Sequence, residues 1–262
     1  MTQLSPARYL EHLFGLQGKT AVVIGGTGVL GGAICDTLAS AGAHVYVIGR
    51  NEDAGQAVVE RWKPLATFFQ ADASKKSDLE ALVEHLRQHG RNCDILVNGA
   101  GVNTAVPFLE ITEEDWDRIM RVNLGAVRTA CQVLGAYMLS TGTEGSIINV
   151  ASMSAMTPLS RVFAYSASKA AVLNLTQNLA REWATKKIRV NALSPGFFPA
   201  EQNRKILTQD RVQKIMGHTP MDRFGTPEEL AGAILLMASN VGGSFVTGAN
   251  IVVDGGFSAM TI

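Results

Sequence analysis

Short apolar runs alternate with longer stretches in which apolar residues recur every three or four positions, from one end of the chain to the other. The runs at 19–24, 44–49, 66–70, 95–97, 146–151, 189–193 and 250–253 are short and apolar, many of them rich in β-branched residues, which predicts buried strands. Between them, periodic stretches at about 29–41, 53–63, 75–89, 113–139, 164–185 and 227–238 predict helices with one apolar face. Strands that alternate with helices in this way predict an α/β fold, in which one doubly wound parallel sheet of seven strands carries helices on both faces. No Pro/Ser-rich linker or repeat breaks the alternation, so residues 1–262 are expected to form one domain, with 196–225 as a substrate loop.

Sheets of this kind bind ligands beyond the carboxyl ends of their strands, where strand order reverses. The chemistry-bearing residues fall at those ends. Gly25 follows the first strand, Asp72 the third, Asn98 the fourth, Ser152 the fifth and Pro195-Gly196 the sixth. After the first strand come Gly25, Gly26, Gly28, Gly31 and Gly32, and a helical pattern starts at about Val29. Strand, glycine turn and helix together aim backbone N–H groups and a helix amino terminus at one point, an arrangement suited to a pyrophosphate.

A second constellation lies further on. Tyr165 and Lys169 are four residues apart in a helical stretch, which sets phenol and ammonium on one face, and Ser152 lies upstream. A tyrosine ordinarily ionises near pH ~10, and an adjacent cation is expected to draw that value toward the working range of an acid–base catalyst.

The combination of Ile24-Gly-Gly-Thr-Gly-Val-Leu-Gly31, Asn98-Gly-Ala-Gly101, Asn123, Ser152, Tyr165-x-x-x-Lys169 and Pro195-Gly196 resembles the short-chain dehydrogenase/reductase family, over nearly the full chain from Leu16 to Gly256. The resemblance implies a Rossmann-type domain and an NAD(P)-dependent oxidoreductase that interconverts a secondary alcohol and a ketone. It makes Tyr165 the general acid in carbonyl reduction and the general base in alcohol oxidation. Lys169 would lower the tyrosine pKa and hold the nicotinamide ribose, Ser152 would bond the reacting oxygen, and the main-chain carbonyl of Asn123 would hold a water linking Lys169 to solvent. Cofactor contacts are implied for Gly25, Thr27, Gly28, Val29, Leu30 and Gly31 in the turn, and for Arg50, Asp72 and Ala73. Asn98, Ala100, Gly101, Tyr165, Lys169, Pro195, Gly196 and Phe198 complete that set.

The chain departs from the family pattern in places. Ile24 stands where a threonine is usual and Val29 where the middle glycine is usual. Gly99 replaces a second asparagine, and Phe198, Pro199 and Ala200 stand where a threonine often follows Pro-Gly. At the end of the second strand Gly49 occupies the place of the acidic residue that favours NAD, and Arg50 follows it. A guanidinium suits a 2′-phosphate, so NADP(H) is expected ahead of NAD(H).

Phe197-Phe198, Gln202-Asn203-Arg204 and the stretch Thr219-Pro-Met-Asp-Arg-Phe-Gly225 are similar to the branch with mannonate oxidoreductases and gluconate 5-dehydrogenases. A sugar acid or polyol is therefore the expected substrate, with Ser152, Asn103, Arg161, Gln202, Asn203 and Arg204 as its binding residues. A 3-oxoacyl-carrier-protein reductase is the alternative, disfavoured by the lack of an evident basic patch. A dinucleotide-binding sensor without turnover would need none of the Ser152, Tyr165, Lys169 and Asn123 set in register.

Composition mainly excludes. The 23 basic and 23 acidic residues leave no net charge, which gives no footing for a nucleic-acid or membrane-surface binder. Cys35, Cys93 and Cys131 are scattered without metal-ligand spacing, and no metal site is expected. Reduced thiols and the absence of a leader pattern at the first residues lead to a cytoplasmic expectation. Charged residues are 18% and apolar ones 47%, which leaves apolar surface for subunit contacts. By resemblance, the helix around Tyr165 and the segment 251–262 would build a homotetramer.

Overall fold

The computed structural model describes residues 5–199 and 208–260. Its seven strands are β1 (Thr20–Ile24), β2 (His44–Gly49), β3 (Ala66–Gln70), β4 (Ile95–Asn98), β5 (Ser146–Val150), β6 (Arg189–Pro195) and β7 (Asn250–Val253). They form one sheet in the order β3-β2-β1-β4-β5-β6-β7, and every pairing is parallel. The chain winds outward from β1 to β3, then returns to the other side of β1 and winds out from β4 to β7. Order therefore reverses between β1 and β4, whose last residues Ile24 and Asn98 are register partners. The crevice expected of a doubly wound sheet opens above that pair.

In chain order the helices are α1 (Pro6–Phe14), α2 (Val29–Ser40), α3 (Glu52–Arg61), α4 (Lys76–Gln88), α5 (Glu113–Met120), α6 (Ala126–Thr141), α7 (Phe163–Trp183), α8 (Gln209–Gly217) and α9 (Ala231–Ala238). Alternate residues of the strands feed two separate cores. Val22, Ile24, Tyr46 and Ile48 pack against Leu79 and Leu82 of α4, Leu134 of α6 and Val172 of α7. Ala21, Val23, Val45 and Val47 pack on the opposite face against Ile34 and Leu38 of α2, Val58 of α3 and Ile234 of α9. Each such aliphatic side chain removed from water contributes about 1.5–3 kcal/mol. The sheet is fixed from both sides, and the loops at its carboxyl edge inherit that rigidity.

Three differences from the sequence expectation stand out. The stretch at 113–139 is two α-helices joined through a π turn, Arg121–Gly125, at whose centre the fully buried Asn123 sits. Extra turns of this kind commonly occur at functional sites. Helix α1 was not anticipated; it has an apolar face of Tyr9, Leu10, Leu13 and Phe14 but buries none of its residues, and Ser5 caps it while Pro6 takes its first position. Helix α8 buries only Ile215, and its start is marked by Thr208, whose hydroxyl accepts from the Arg211 N–H at 3.3 Å.

Candidate active site

At the end of β1 the chain turns through Gly25, at φ 78°, whose N–H donates to the Ile48 carbonyl at 2.9 Å. Gly28 then caps α2 and offers no side chain to its first-turn N–H groups, which stay available to an anion in the crevice. A Cβ on Gly31 would collide with the Gly25 carbonyl, so close approach of helix to turn demands glycine there. Val29 is 51% exposed, which explains why the usual glycine is dispensable at that place. Ile24, where a threonine is usual, is buried in the core.

The crevice is walled by Gly25, Thr27 and Gly28 on one side and by Gly49, Arg50, Asp72, Ala73 and Ser74 on another, with residues 99–102 as its floor. Arg118 of α5 and Arg121 and Val122 of the π turn also line it, which the sequence reading did not anticipate. Arg118 is committed to Asp115 at 2.9 Å and Thr104 at 2.6 Å. The Asp72 carboxylate accepts from the Ser74 hydroxyl at 2.7 Å and from its N–H at 3.0 Å. Those bonds, the hydroxyl's first, hold its carboxyl below the usual range, with Arg50 and Lys75 adding to the effect. A Cβ on Gly49 would lie 2.6 Å from the end of the Thr27 side chain, so an acidic residue there would require Thr27 to shift. Asn98 lies beneath the floor rather than in it, where it donates to Asn149 at 2.8 Å and braces β4 against β5. A helix amino terminus without a side-chain cap, a turn that excludes side chains and a flanking guanidinium fit a dinucleotide whose pyrophosphate faces α2.

The second constellation closes around the end of β5. Ser152 Oγ accepts from the Ser154 N–H at 3.1 Å and from the Ser154 hydroxyl at 3.0 Å, and it lies near enough to the Tyr165 hydroxyl of α7 to influence its ionisation. One turn on, the Lys169 ammonium lies 5.7 Å from the centre of the Tyr165 ring and donates to the Val150 carbonyl at 2.6 Å. Asn123 reaches the same place from the π turn. Its Oδ1 accepts from the Val102 N–H at 2.8 Å, and its Nδ2 donates to the Val102 carbonyl at 2.9 Å and to Ser168 Oγ at 3.0 Å. Ser168 in turn donates to the Tyr165 carbonyl at 2.7 Å.

The electrostatics correct one expectation. Burial pushes the Tyr165 hydroxyl above its ordinary range, and the nearby Ser152 hydroxyl only partly opposes it. Burial pulls Lys169 down to about 8. The ammonium is turned toward the Val150 carbonyl, and desolvation of the phenolate outweighs any attraction to it.

Ser152, Tyr165 and Lys169 open onto a cleft also lined by Leu30, Asn103, Met153, Val162, Pro195, Gly196, Phe197 and Arg211. Gly99, Gly101 and Val102 border both this cleft and the dinucleotide crevice, so the two are adjoining halves of one site. Some residues expected here lie elsewhere. Arg161 is exposed and outside the cleft lining, held by its carbonyl to the Val106 N–H at 3.0 Å, because at φ 66° the chain turns there. Phe198 lines a neighbouring pocket with its ring against Gly225, and Phe197 reaches the cleft in its place. Gln202, Asn203 and Arg204 fall outside the described residues. Arg211 was missed because it lies far along the chain from the Ser152 and Tyr165 motifs; its signals are the Thr208 cap three residues before it and the short Val212, Ile215, Met216 stripe.

Known proteins resemble this chain over nearly its whole length. A family described as Enoyl-(Acyl carrier protein) reductase matches residues 27–258. The chain is 39% identical over 255 aligned positions to a galactitol 2-dehydrogenase of Rhizobium johnstonii, covering 95% of this chain and 98% of that protein. It is 32% identical over 247 positions to a 3-oxoacyl-[acyl-carrier-protein] reductase of Chlamydia trachomatis, covering 93% and 98%. Among solved structures, a gluconate 5-dehydrogenase from Burkholderia cenocepacia in complex with NADP and tartrate superposes with a TM-score of 0.90 at 30% identity, over 96% of this chain and all of that one. The chain belongs to the short-chain dehydrogenase/reductase family. It is an oxidoreductase of that family, acting on CH–OH groups with a nicotinamide dinucleotide. Among the described residues no helix is long and apolar enough to cross a membrane.

Proposed function

We propose that this protein interconverts a secondary alcohol of a sugar acid or polyol and the corresponding ketone, with NADP(H) preferred to NAD(H). The reading is carried by the Ser152–Tyr165–Lys169 cluster, which faces a cleft continuous with the dinucleotide crevice. The bound nicotinamide supplies or accepts the hydride. Ser152 holds the substrate oxygen, and Tyr165 gives that oxygen its proton in reduction or takes it in oxidation. Lys169 keeps a positive charge one helical turn from Tyr165 as negative charge develops on the oxygen. Asn123 braces the floor residue Val102 against the tyrosine helix.

A buried phenol whose pKa is raised keeps its proton at neutral pH, so the free site is set as an acid. Reduction is therefore expected to dominate at neutral pH, and the ratio of oxidation to reduction rate to climb as pH rises from 6 toward 10. Initial rates in both directions across that range check this; a ratio that falls with pH would contradict the assignment of Tyr165.

Arg50 supports the NADP preference, since it lines the crevice beside Gly49, which carries no carboxylate to accept the ribose 2′-hydroxyl. Loss of a charge-assisted hydrogen bond costs about 1.5–3 kcal/mol, so Arg50→Ala should weaken NADP about 10- to 100-fold. NAD affinity should change by less than about threefold, because NAD lacks the phosphate. Calorimetric titration with both dinucleotides measures this; equal losses for both would remove Arg50 from the assignment.

The sugar-acid or polyol reading draws support from the similarity to the galactitol and gluconate dehydrogenases, the latter with NADP and tartrate bound, and from Asn103 in the cleft lining. The second reading, a 3-oxoacyl thioester reductase, rests on the similarity to the Chlamydia enzyme. Assaying hexonates, alditols and acetoacetyl thioesters with both dinucleotides separates them, and turnover confined to thioesters would reject the first. A homotetramer in the cytoplasm completes the proposal, and light scattering that gives a monomer at micromolar concentration would count against the assembly.

A further inference from the structure

The reactive cleft is lined by two cations, Lys169 and Arg211, and by no aspartate or glutamate among the described residues. Lys169 is occupied by the Val150 carbonyl and lies beside the Tyr165 ring. Arg211 is half-buried, and among the described residues its guanidinium has neither a carboxylate nor a hydrogen-bond partner. Other arginines behave differently. Arg61 pairs with Asp36 at 2.9 Å, Arg118 with Asp115 at 2.9 Å and Arg223 with Glu229 at 2.6 Å.

The position is also unfavourable for a cation on local grounds. Arg211 is the third residue of α8, where the helix dipole opposes positive charge. The neighbouring Asp210 gives it no relief, being paired with Lys214 at 2.9 Å. A half-desolvated guanidinium held against a helix dipole is stabilised by an anion brought to it, and its planar fork matches a carboxylate. A neutral alditol or a thioester brings no such charge.

We infer that Arg211 is a specificity-determining residue that receives the carboxylate of the substrate, so that the cleft selects sugar acids over neutral polyols. This rests on the sugar-acid or polyol reading above and narrows it.

The test compares acid and alditol pairs of like carbon skeleton, D-gluconate with D-sorbitol and D-mannonate with D-mannitol, on the full-length protein. Wild type should favour the acid of at least one pair. Arg211→Ala should raise KM for that acid about 30-fold, the scale of a lost charge-assisted bond, with kcat changed by less than about threefold. The kcat/KM ratio of acid to alditol should fall correspondingly, and Arg211→Lys should restore a good part of it. Arg211→Gln, read with circular dichroism and a dinucleotide titration, provides the same comparison should the alanine variant fold poorly.

Wild-type preference for the alditols would overturn the inference and leave the polyol half of the reading standing. Equal losses for acid and alditol in the variants, or no rescue by lysine, would overturn the inference alone. Turnover of thioesters only, or of none of the four sugars, would overturn both.

Discussion

Tyr165→Phe lowers kcat about a thousandfold in both directions, within the 10²–10⁴ range of a lost general acid, while cofactor affinity stays within about threefold. The physical ground is that the substitution removes one oxygen and keeps the ring. The packing of α7 is unchanged, Lys169 retains its bond to the Val150 carbonyl, and Ser152 retains both contacts with Ser154. What disappears is the group that moves a proton at the substrate oxygen. Steady-state rates and fluorescence titration of the reduced dinucleotide check both halves of the expectation. Turnover within tenfold of wild type would move the proton-transfer role to another residue, and a parallel loss of cofactor affinity would make Tyr165 a binding residue.

Lys169→Met carries a different signature, because Lys169 is buried at 3% exposure and its pKa is drawn down to about 8. Turnover should fall at least a hundredfold, the lower bound for a lost acid–base contribution, and dinucleotide binding should weaken as well. The stability effect has a definite sign. An unfolded lysine binds its proton up to about 10.4, whereas the folded one releases it near 8, so within that window the unfolded state holds more protons and folding gains stability as pH rises. At about 1.36 kcal/mol for each unit of difference, wild type should gain about 3 kcal/mol over Lys169→Met between pH 7 and 11. Taking the difference between the two proteins cancels the other titrating groups. Urea unfolding at stepped pH reads it, and a difference that stays flat or moves the other way would show that the ammonium is not desolvated in the folded protein.

The sequence made the sheet legible because parallel strands buried on both faces are written as near-continuous apolar runs, as at 21–24 and 95–97. The reactive group was legible because Tyr165 and Lys169 are close in sequence on one helix. The break at Arg121–Gly125 was not, since the apolar periodicity runs on through it and its cause is tertiary: the Asn123 amide is bonded across to Val102 and Ser168. Arg161 was misjudged and Arg211 missed for a related reason. Proximity along the chain to Ser152 and Tyr165 suggested the first, but a positive φ turns it away, while the second lies more than forty positions beyond Tyr165 in the sequence. The tyrosine pKa followed the same pattern, for a sequence shows which charges are near and not how far they are desolvated.

Asn123 grips the crevice floor at Val102 with both ends of its amide, and its nitrogen also donates to Ser168, whose hydroxyl in turn holds the tyrosine's own carbonyl. The floor under the dinucleotide and the helix that carries the acid are thereby tied through three residues. The residues that border the dinucleotide crevice and the helix that carries the acid therefore hang on one hydrogen-bonded strut.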